Sequence, residues 1–179
     1  MKCPLKSRIT SASAVLFIAL VGLSVLTSAL AGPKGTDRPI KGFLAGEVTY
    51  LFPPESPLAG DCNCESQVTV VTTGWGNLSH LGLTELLSTH CAPMPPYTKY
   101  VCTHMTLTAA NGDQLYATYD DEDGAPFVLR FYDGTGRFKG AKGEALLDWQ
   151  VVPMFDEDGN MDFFVPWPWC VNIDGAISY

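Results

Sequence analysis

Eight short strand-like segments occupy most of the sequence between residues 42 and 179, and they limit what the chain can fold into. The clearest is Ser66–Trp75, where β-branched residues fill most positions, as is typical of strands. No segment shows the sustained 3.6-residue period of a long helix. The other seven are Gly42–Leu51, Gly82–His90, Lys99–Ala110, Asp113–Asp121, Phe127–Asp133, Glu144–Val152 and Gly175–Tyr179. Eight antiparallel strands in about 150 residues predict an all-β domain, either a closed eight-stranded barrel or a sandwich.

The turn chemistry agrees with antiparallel strands. Asn111-Gly112 lies between two of the predicted strands. Asn-Gly supplies the two positive-φ residues of a type I′ turn, so we expect a tight hairpin at this point. Three longer insertions interrupt the strands, at Phe52–Cys64, Cys91–Tyr97 and Pro153–Cys170.

The first 31 residues have the pattern of a secretory signal peptide. A short basic region precedes an apolar run, and Ala29-Leu30-Ala31 forms a small-residue cleavage site. A retained membrane anchor is the alternative, because the apolar run is near the lower length limit for spanning a bilayer. We therefore predict a secreted or periplasmic protein with three parts: residues 1–31 as signal peptide, 32–41 as linker and 42–179 as the all-β domain.

The charge of the chain restricts its partners. The full sequence has a net charge of −8, and removing the basic leader makes the remainder more acidic. Nucleic acids and anionic membranes both need a basic face, so neither is an expected partner. We expect no stable membrane insertion after cleavage, and the oligomeric state stays open.

Five cysteines remain outside the predicted leader: Cys62, Cys64, Cys91, Cys102 and Cys170. In an exported chain disulfides are the expected state, and an odd number leaves one thiol over. Cys91 lies at the end of one predicted strand, and Cys102 lies near the start of the next. We therefore predict that they pair. Cys170 is then expected to bond either Cys62 or Cys64. Their spacing does not match that of a zinc site.

A glycine-rich stretch, Gly134–Gly143, raises the question of phosphate binding. It lacks the Ser or Thr that follows the lysine of a P-loop, and it misses the spacing of the dinucleotide fingerprint. A strand-like segment follows it instead of a helix. We therefore interpret the glycines as a bulged corner of a curved sheet with Phe138 turned inward, and we expect no cofactor.

Several of these motifs together carry a family resemblance. Ser79-His80-Leu81-Gly82, Ala110-Asn111-Gly112-Asp113, Gly134–Gly143 and Gly175–Tyr179 resemble elements of the allene oxide cyclase-like barrel family, which is related to the plant dirigent proteins. The likeness extends from about Gly42 to the C-terminus and is nearest to exported bacterial members. It implies an eight-stranded antiparallel barrel with a central cavity. The insertions and cysteines depart from the family pattern, and no substrate-handling residue of the plant cyclase falls on a matching motif.

Four residues are candidates for ligand binding. A barrel with a polar interior would hold His104 and Tyr116 inside, although a structural role for the histidine is the simpler interpretation. Trp167 and Trp169 flank a proline in the third insertion, where they are expected to lie in a loop. These indoles are interpreted as a cover over the barrel mouth, a platform for stacking sugars, or a small loop core.

An acidic turn offers a weak calcium candidate. Asp156, Asp158, Asn160 and Asp162 alternate as oxygen ligands do in calcium loops. The EF-hand spacing fails because glycine follows Asp158 too soon and no closing Glu is present. A solvated turn is the simpler interpretation, so no metal is expected.

The sequence favours an exported barrel that binds a small, largely apolar ligand without turnover. A cyclase or isomerase acting on a reactive apolar substrate is one alternative, and a structural barrel at the cell surface is another. An enzyme needs an acid, a base or a donor that points into the cavity, a binder needs only the cavity, and a structural barrel has a filled interior. No catalytic residue follows from the sequence, since neither a G-x-S-x-G nor an H-E-x-x-H motif is present.

Overall fold

The fold consists of eight strands that follow one another around a barrel. The computed structural model describes residues 37–51, 67–93, 101–120 and 127–179. The strands are β1 (Arg38–Leu51), β2 (Gln67–Leu78), β3 (Gly82–Pro93), β4 (Val101–Ala109), β5 (Gln114–Asp120), β6 (Phe127–Gly134), β7 (Lys142–Val151) and β8 (Trp167–Ser178). Apart from one 3₁₀ turn at Gly136–Phe138, the residues described form no helix. None of them therefore belongs to a helix that is long and apolar enough to cross a bilayer.

The sheet closes on itself. Each strand pairs antiparallel with the next, and β1 pairs with β8 from Arg38↔Ile177 to Val48↔Trp167. The barrel alternative is thus confirmed and the sandwich is wrong. Because the barrel closes, β1 and β8 pair with each other as well as with their neighbours in sequence. The sheet therefore has no free edge.

The interior of the barrel is apolar. Because side chains alternate across a strand, residues two apart share a face. On β4, Met105 and Leu107 are 2% and 0% exposed, whereas His104, directly before Met105, is exposed. On β1, Ile40 and Leu44 are four residues apart and so share a face, and both are fully buried. Each strand therefore contributes one set of side chains to a single core.

Two strands begin at least four residues earlier than the sequence suggested. The strand β1 starts at Arg38, inside the predicted linker, and β8 starts at Trp167, eight residues before the predicted Gly175. The Trp167-Pro168-Trp169 segment is therefore part of the barrel wall, and its placement in a loop is wrong. A proline is tolerated there because it stands near the first residue of the strand.

The β4–β5 hairpin is confirmed, but its turn is of a different type. Gly112 has φ 86°, while Asn111 is not among the positive-φ residues. The Gly112 amide donates to the Ala109 carbonyl at 2.8 Å, and the Ala109 amide donates to the Asp113 carbonyl at 2.8 Å. These bonds fit a type I turn followed by a glycine bulge rather than the expected type I′ turn.

The glycine-rich corner closes one end of the barrel. The Phe138 side chain is fully buried and packs edge-on against Tyr179, with ring centroids 5.0 Å apart. Arg137 lies on the outside, 3.7 Å from the Asp113 carboxylate. Gly136 and Gly140 have φ 52° and 76°, conformations that glycine adopts at little cost. The interpretation as a structural corner is therefore consistent with its geometry.

Candidate functional site

A cavity of about 220 Å³ lies inside the barrel, near the end where β1 finishes and β8 begins. All eight strands contribute to its wall. Its lining is Val48, Tyr50, Val70, Thr72, His90, Ala92, Met105, Tyr119, Phe127, Leu147, Trp149, Val151, Pro153 and Trp167. Most of these side chains are aliphatic or aromatic, which is the usual composition of a small-molecule site.

Aromatic rings shape one side of this cavity. Tyr50 meets Trp167 edge-on at 4.8 Å and Phe163 at 5.1 Å between ring centroids. Trp149 stacks on Trp169 at 4.5 Å with an interplanar angle of 10°. The Trp169 indole fits here because residue 74 is glycine. A Cβ on residue 74 would lie 2.4 Å from Cζ2 of Trp169. The two indoles of β8 are thus fixed by their neighbours rather than presented on a loop.

One cluster of polar side chains lies on the opposite side of the cavity. The Tyr119 hydroxyl lies 2.6 Å from Nδ1 of His90 and 2.9 Å from Oγ of Ser88. His90 and Ser88 are two apart on β3 and so share its inward face, while Tyr119 comes from β5. Tyr119 and Ser88 are 6% and 1% exposed. The cluster is therefore a buried hydrogen-bonded group within an apolar wall.

Burial controls the protonation state of this cluster. It lowers the pKa of His90 to about 3, because the charged imidazolium would lose its hydration inside the barrel. At neutral pH His90 is thus an uncharged imidazole with one donor and one acceptor nitrogen. The cluster offers neutral hydrogen-bonding groups and no fixed charge.

An irregularity in β4 supports Tyr119 from behind. The backbone amide of Tyr119 donates to Oγ1 of Thr103 at 3.0 Å, and the Thr103 hydroxyl donates back to the Tyr119 carbonyl at 2.5 Å. These side-chain bonds replace the strand pairing, which begins only at Met105↔Ala117. Cys102 next to them has φ 58°, and the β3–β4 register shifts between Thr89 and Cys91. A bulge of this kind redirects a side chain beside a site.

Two of the four predicted ligand-binding residues lie outside the cavity. His104 is exposed on the outer face of β4, because Met105 and Leu107 take the inward positions. Tyr116 is half-buried on the outer face of β5, where its ring stacks on Tyr132 at 6.2 Å and its hydroxyl donates to Gln114 at 2.8 Å. The expectation of a polar interior holding these two residues is therefore wrong.

The two indoles lie in the barrel wall on β8, at the end that holds the cavity, and not in a loop. Trp167 lines the cavity, and its Nε1 donates to the Asp162 carbonyl at 2.6 Å. Trp169 is 1% exposed and packs behind Trp149, with its Nε1 donating to the Thr73 carbonyl at 3.1 Å. Trp167 can contact a ligand directly, while Trp169 supports the wall. Their role in binding stays a prediction.

The acidic turn uses its carboxylates for local hydrogen bonds. The Asp156 carboxylate accepts bonds from the amides of Asp158 at 3.0 Å and Asn160 at 2.8 Å. These bonds lower the pKa of Asp156, with the Asn160 amide as the largest cause. Within the described ranges no group of three or more His, Cys, Asp or Glu residues could hold a metal ion. The calcium candidate gains no support from this arrangement.

The described cysteines bear on the predicted pairing. None of Cys91, Cys102 and Cys170 is a free thiol. Cys91 lies opposite Val101 in the β3–β4 ladder, which places it one residue from Cys102. Cys62 and Cys64 lie outside the described residues, so the bond between Cys170 and one of them stays a prediction, as does the bond between Cys91 and Cys102.

Sequence reasoning missed His90 and Tyr119. The sequence of β3 does not show which of its faces is inward, because Leu83 and Leu87 point outward and are 57% and 40% exposed. On β5, the alternation of Leu115 and Ala117 with polar residues does place Tyr119 on the inward face. That alternation was the one available signal for the polar cluster.

Comparison with known proteins gives a fold and no family. No protein-family model matches the chain, and no curated protein matches it. Four chains of solved structures do match. One is a pterocarpan synthase dirigent protein, 14% identical, with a TM-score of 0.51, covering 80% of this chain and 86% of that chain. This chain therefore has a barrel fold similar to that of a dirigent protein.

Proposed function

We propose that this protein binds a small, largely apolar ligand in the cavity of its barrel. The observation that carries the proposal is an aromatic-lined cavity of about 220 Å³ inside a barrel whose inward side chains form an apolar core. Protein interiors are close-packed, and an apolar cavity of about 150 Å³ is enough to hold benzene. The cavity in this barrel thus suits a ligand of one or two rings. The unfilled space favours a binder over a purely structural barrel.

The protonation chemistry of the site favours binding over turnover. A general base works best with a pKa near the operating pH. With a pKa of about 3, protonating His90 at pH 7 costs about 5 kcal/mol. His90 is thus a poor proton acceptor during a reaction, but as a neutral group it is a good hydrogen-bonding partner.

A cyclase or isomerase is the second candidate, and one observation favours it. Ser88, Tyr119 and His90 form a connected polar cluster beside the cavity, and such clusters orient reactive substrates. The dirigent protein of similar fold is described as a pterocarpan synthase, which is consistent with a barrel of this shape hosting synthesis. Under this candidate the cavity acts by shape and by neutral hydrogen bonds rather than by acid–base catalysis.

We propose further that the protein is exported. The basic start, the apolar run and the Ala29-Leu30-Ala31 site support a cleaved leader. Peptide mapping of the protein recovered from the culture medium or periplasm tests this, with Gly32 expected as the first residue. Recovery of the intact leader in a membrane fraction would support a retained anchor instead.

Calorimetric titration with naphthalene tests the binding function. We expect one site per chain and a raised melting temperature, because a ligand that binds only the folded state stabilises it. At about ten times the Kd the gain is about 1.4 kcal/mol, or roughly 3–5 °C for a domain of this size.

A matched pair of variants places the site. Ala92 lines the cavity and is fully buried, so Ala92→Phe fills the space and should abolish naphthalene binding. Leu146→Phe adds a ring on the outer face, at a residue 53% exposed, and should leave binding unchanged. No binding by the wild-type protein, or equal binding by Ala92→Phe, would refute the proposal.

A further inference from the structure

The charge of the cavity wall distinguishes between ligands of the same shape, provided that the proposed binding function holds. None of its fourteen described lining residues is a Lys, Arg, Asp or Glu. A charged ligand group placed inside would have no opposite charge to pair with. An unpaired charge removed from water carries a large free-energy cost, far more than a neutral polar group.

The wall contains a hydrogen-bonding group that the surrounding residues hold in place. Tyr119 and His90 both line the cavity, and the Tyr119 hydroxyl is held 2.6 Å from His90 Nδ1 and 2.9 Å from Ser88 Oγ. The Thr103 side chain fixes the Tyr119 backbone through two further bonds. A hydroxyl positioned in this way is pre-organised, so little conformational entropy is lost when a ligand meets it.

From these two features we infer that the cavity selects electrically neutral ring compounds bearing one hydroxyl or similar hydrogen-bonding group, which meets the Tyr119–His90 pair. Purely apolar rings bind less tightly because they leave the pair without a ligand contact. Carboxylates and ammonium compounds of the same size are rejected. Tyr119 is thus a specificity-determining residue, and the aromatic wall supplies affinity without selectivity.

Four probes of one ring system test this selection. Naphthalene, 2-naphthol, 2-naphthoate and 2-naphthylmethylammonium are titrated separately into the purified full chain at pH 7 by calorimetry. We expect 2-naphthol to bind about fivefold tighter than naphthalene, since a net hydrogen bond contributes about 1 kcal/mol. The two charged probes should bind at least about a hundredfold more weakly than 2-naphthol.

Two variants assign the selection to Tyr119. Tyr119→Phe should remove most of the 2-naphthol advantage while naphthalene affinity stays within about twofold. Tyr132→Phe is the matched control, because Tyr132 lies on the outer face of β6 and is 40% exposed. It should leave both affinities unchanged.

The outcomes separate this inference from the binding function. If naphthalene itself does not bind, the proposed function fails and the inference fails with it. If naphthalene binds but 2-naphthol is no tighter, or 2-naphthoate binds equally well, only the inference is overturned. These comparisons use the wild-type protein, so they decide the matter even if Tyr119→Phe does not fold.

Discussion

His90 shows how a single buried residue links the stability of this barrel to pH. Burial is the cause of its lowered pKa, and the ring stays neutral because an imidazolium would lose its hydration. Its neighbour Tyr119 meets it edge-on, with ring centroids 5.7 Å apart. At neutral pH His90 is thus held in its uncharged form.

The pH dependence of unfolding follows from this shift. The unfolded chain takes up a proton at His90 below pH 6.5, whereas the folded chain does so only near pH 3. The contribution of the neutral His90 to the free energy of unfolding is therefore complete above pH 6.5. It is lost as the pH falls toward 3, by up to about 1.4 kcal/mol per pH unit. Denaturant titrations of wild type and His90→Gln between pH 5 and 7 measure it, and the variant should lose this slope.

A matched histidine serves as control for that measurement. His104→Gln changes an exposed side chain on the outer face and should keep the wild-type slope. The interval above pH 5 lies above the ordinary pKa values of carboxylates, so their protonation contributes little there. A slope that survives in His90→Gln would show that burial of this histidine does not control the acid response.

At the scale of single strands, regular β-branched segments were predictable and irregular ones were not. β2 is rich in Val and Thr, and its location follows from composition alone. The start of β8 contains Trp167-Pro168-Trp169, and proline with acidic residues upstream made it resemble a loop. Tertiary pairing with β1 decides that case, because Trp167 and Trp169 lie opposite Val48 and Gly46.

The inward face of a strand was predictable only where its two faces differ in polarity. On β4, Met105 and Leu107 alternate with His104 and Thr106, so the inward set could have been chosen from sequence. On β3, leucines occupy both faces, and only the pairing Val70↔His90 fixes which face is inward. The candidate site depended on this choice, which is why His90 was missed.

The bulge in β4 supports a prediction at this scale. Thr103→Val keeps the shape of the side chain but removes the hydroxyl. That hydroxyl accepts a hydrogen bond from the Tyr119 amide and donates one to the Tyr119 carbonyl. A buried amide without its partner costs about 1–3 kcal/mol, so we expect a destabilisation of that size. Thr106→Val, on the outer face of the same strand, should cost less than about 0.5 kcal/mol. Denaturant unfolding measures both, and equal effects would contradict the supporting role of the bulge.

The predicted Cys91–Cys102 bridge lies at the same irregularity. If these residues pair, the bond closes a loop of about a dozen residues next to Tyr119 and contributes about 3 kcal/mol in the chain-entropy model. Non-reducing peptide mapping should recover a Cys91–Cys102 peptide. A peptide joining Cys91 to Cys170 would show that the pairing is different.

At the scale of the whole molecule, closure of the barrel creates the cavity. Every strand sends its inward side chains toward one axis, and the glycine-rich corner with Phe138 fills one end. At the other end, Tyr50, Trp149 and Trp167 line a space that their rings do not fill. The fold was therefore predictable from strand number and turns, but the position of the cavity depends on packing that no single segment encodes.

A crystal structure of the protein with 2-naphthol tests this account most directly. We predict the naphthol ring between the Trp149 side and Tyr119, with its hydroxyl about 2.6–3.2 Å from the Tyr119 oxygen or a His90 nitrogen. Density for the ring only on the outer face, for example beside Trp75, which is 71% exposed, with the cavity unchanged, would contradict the account.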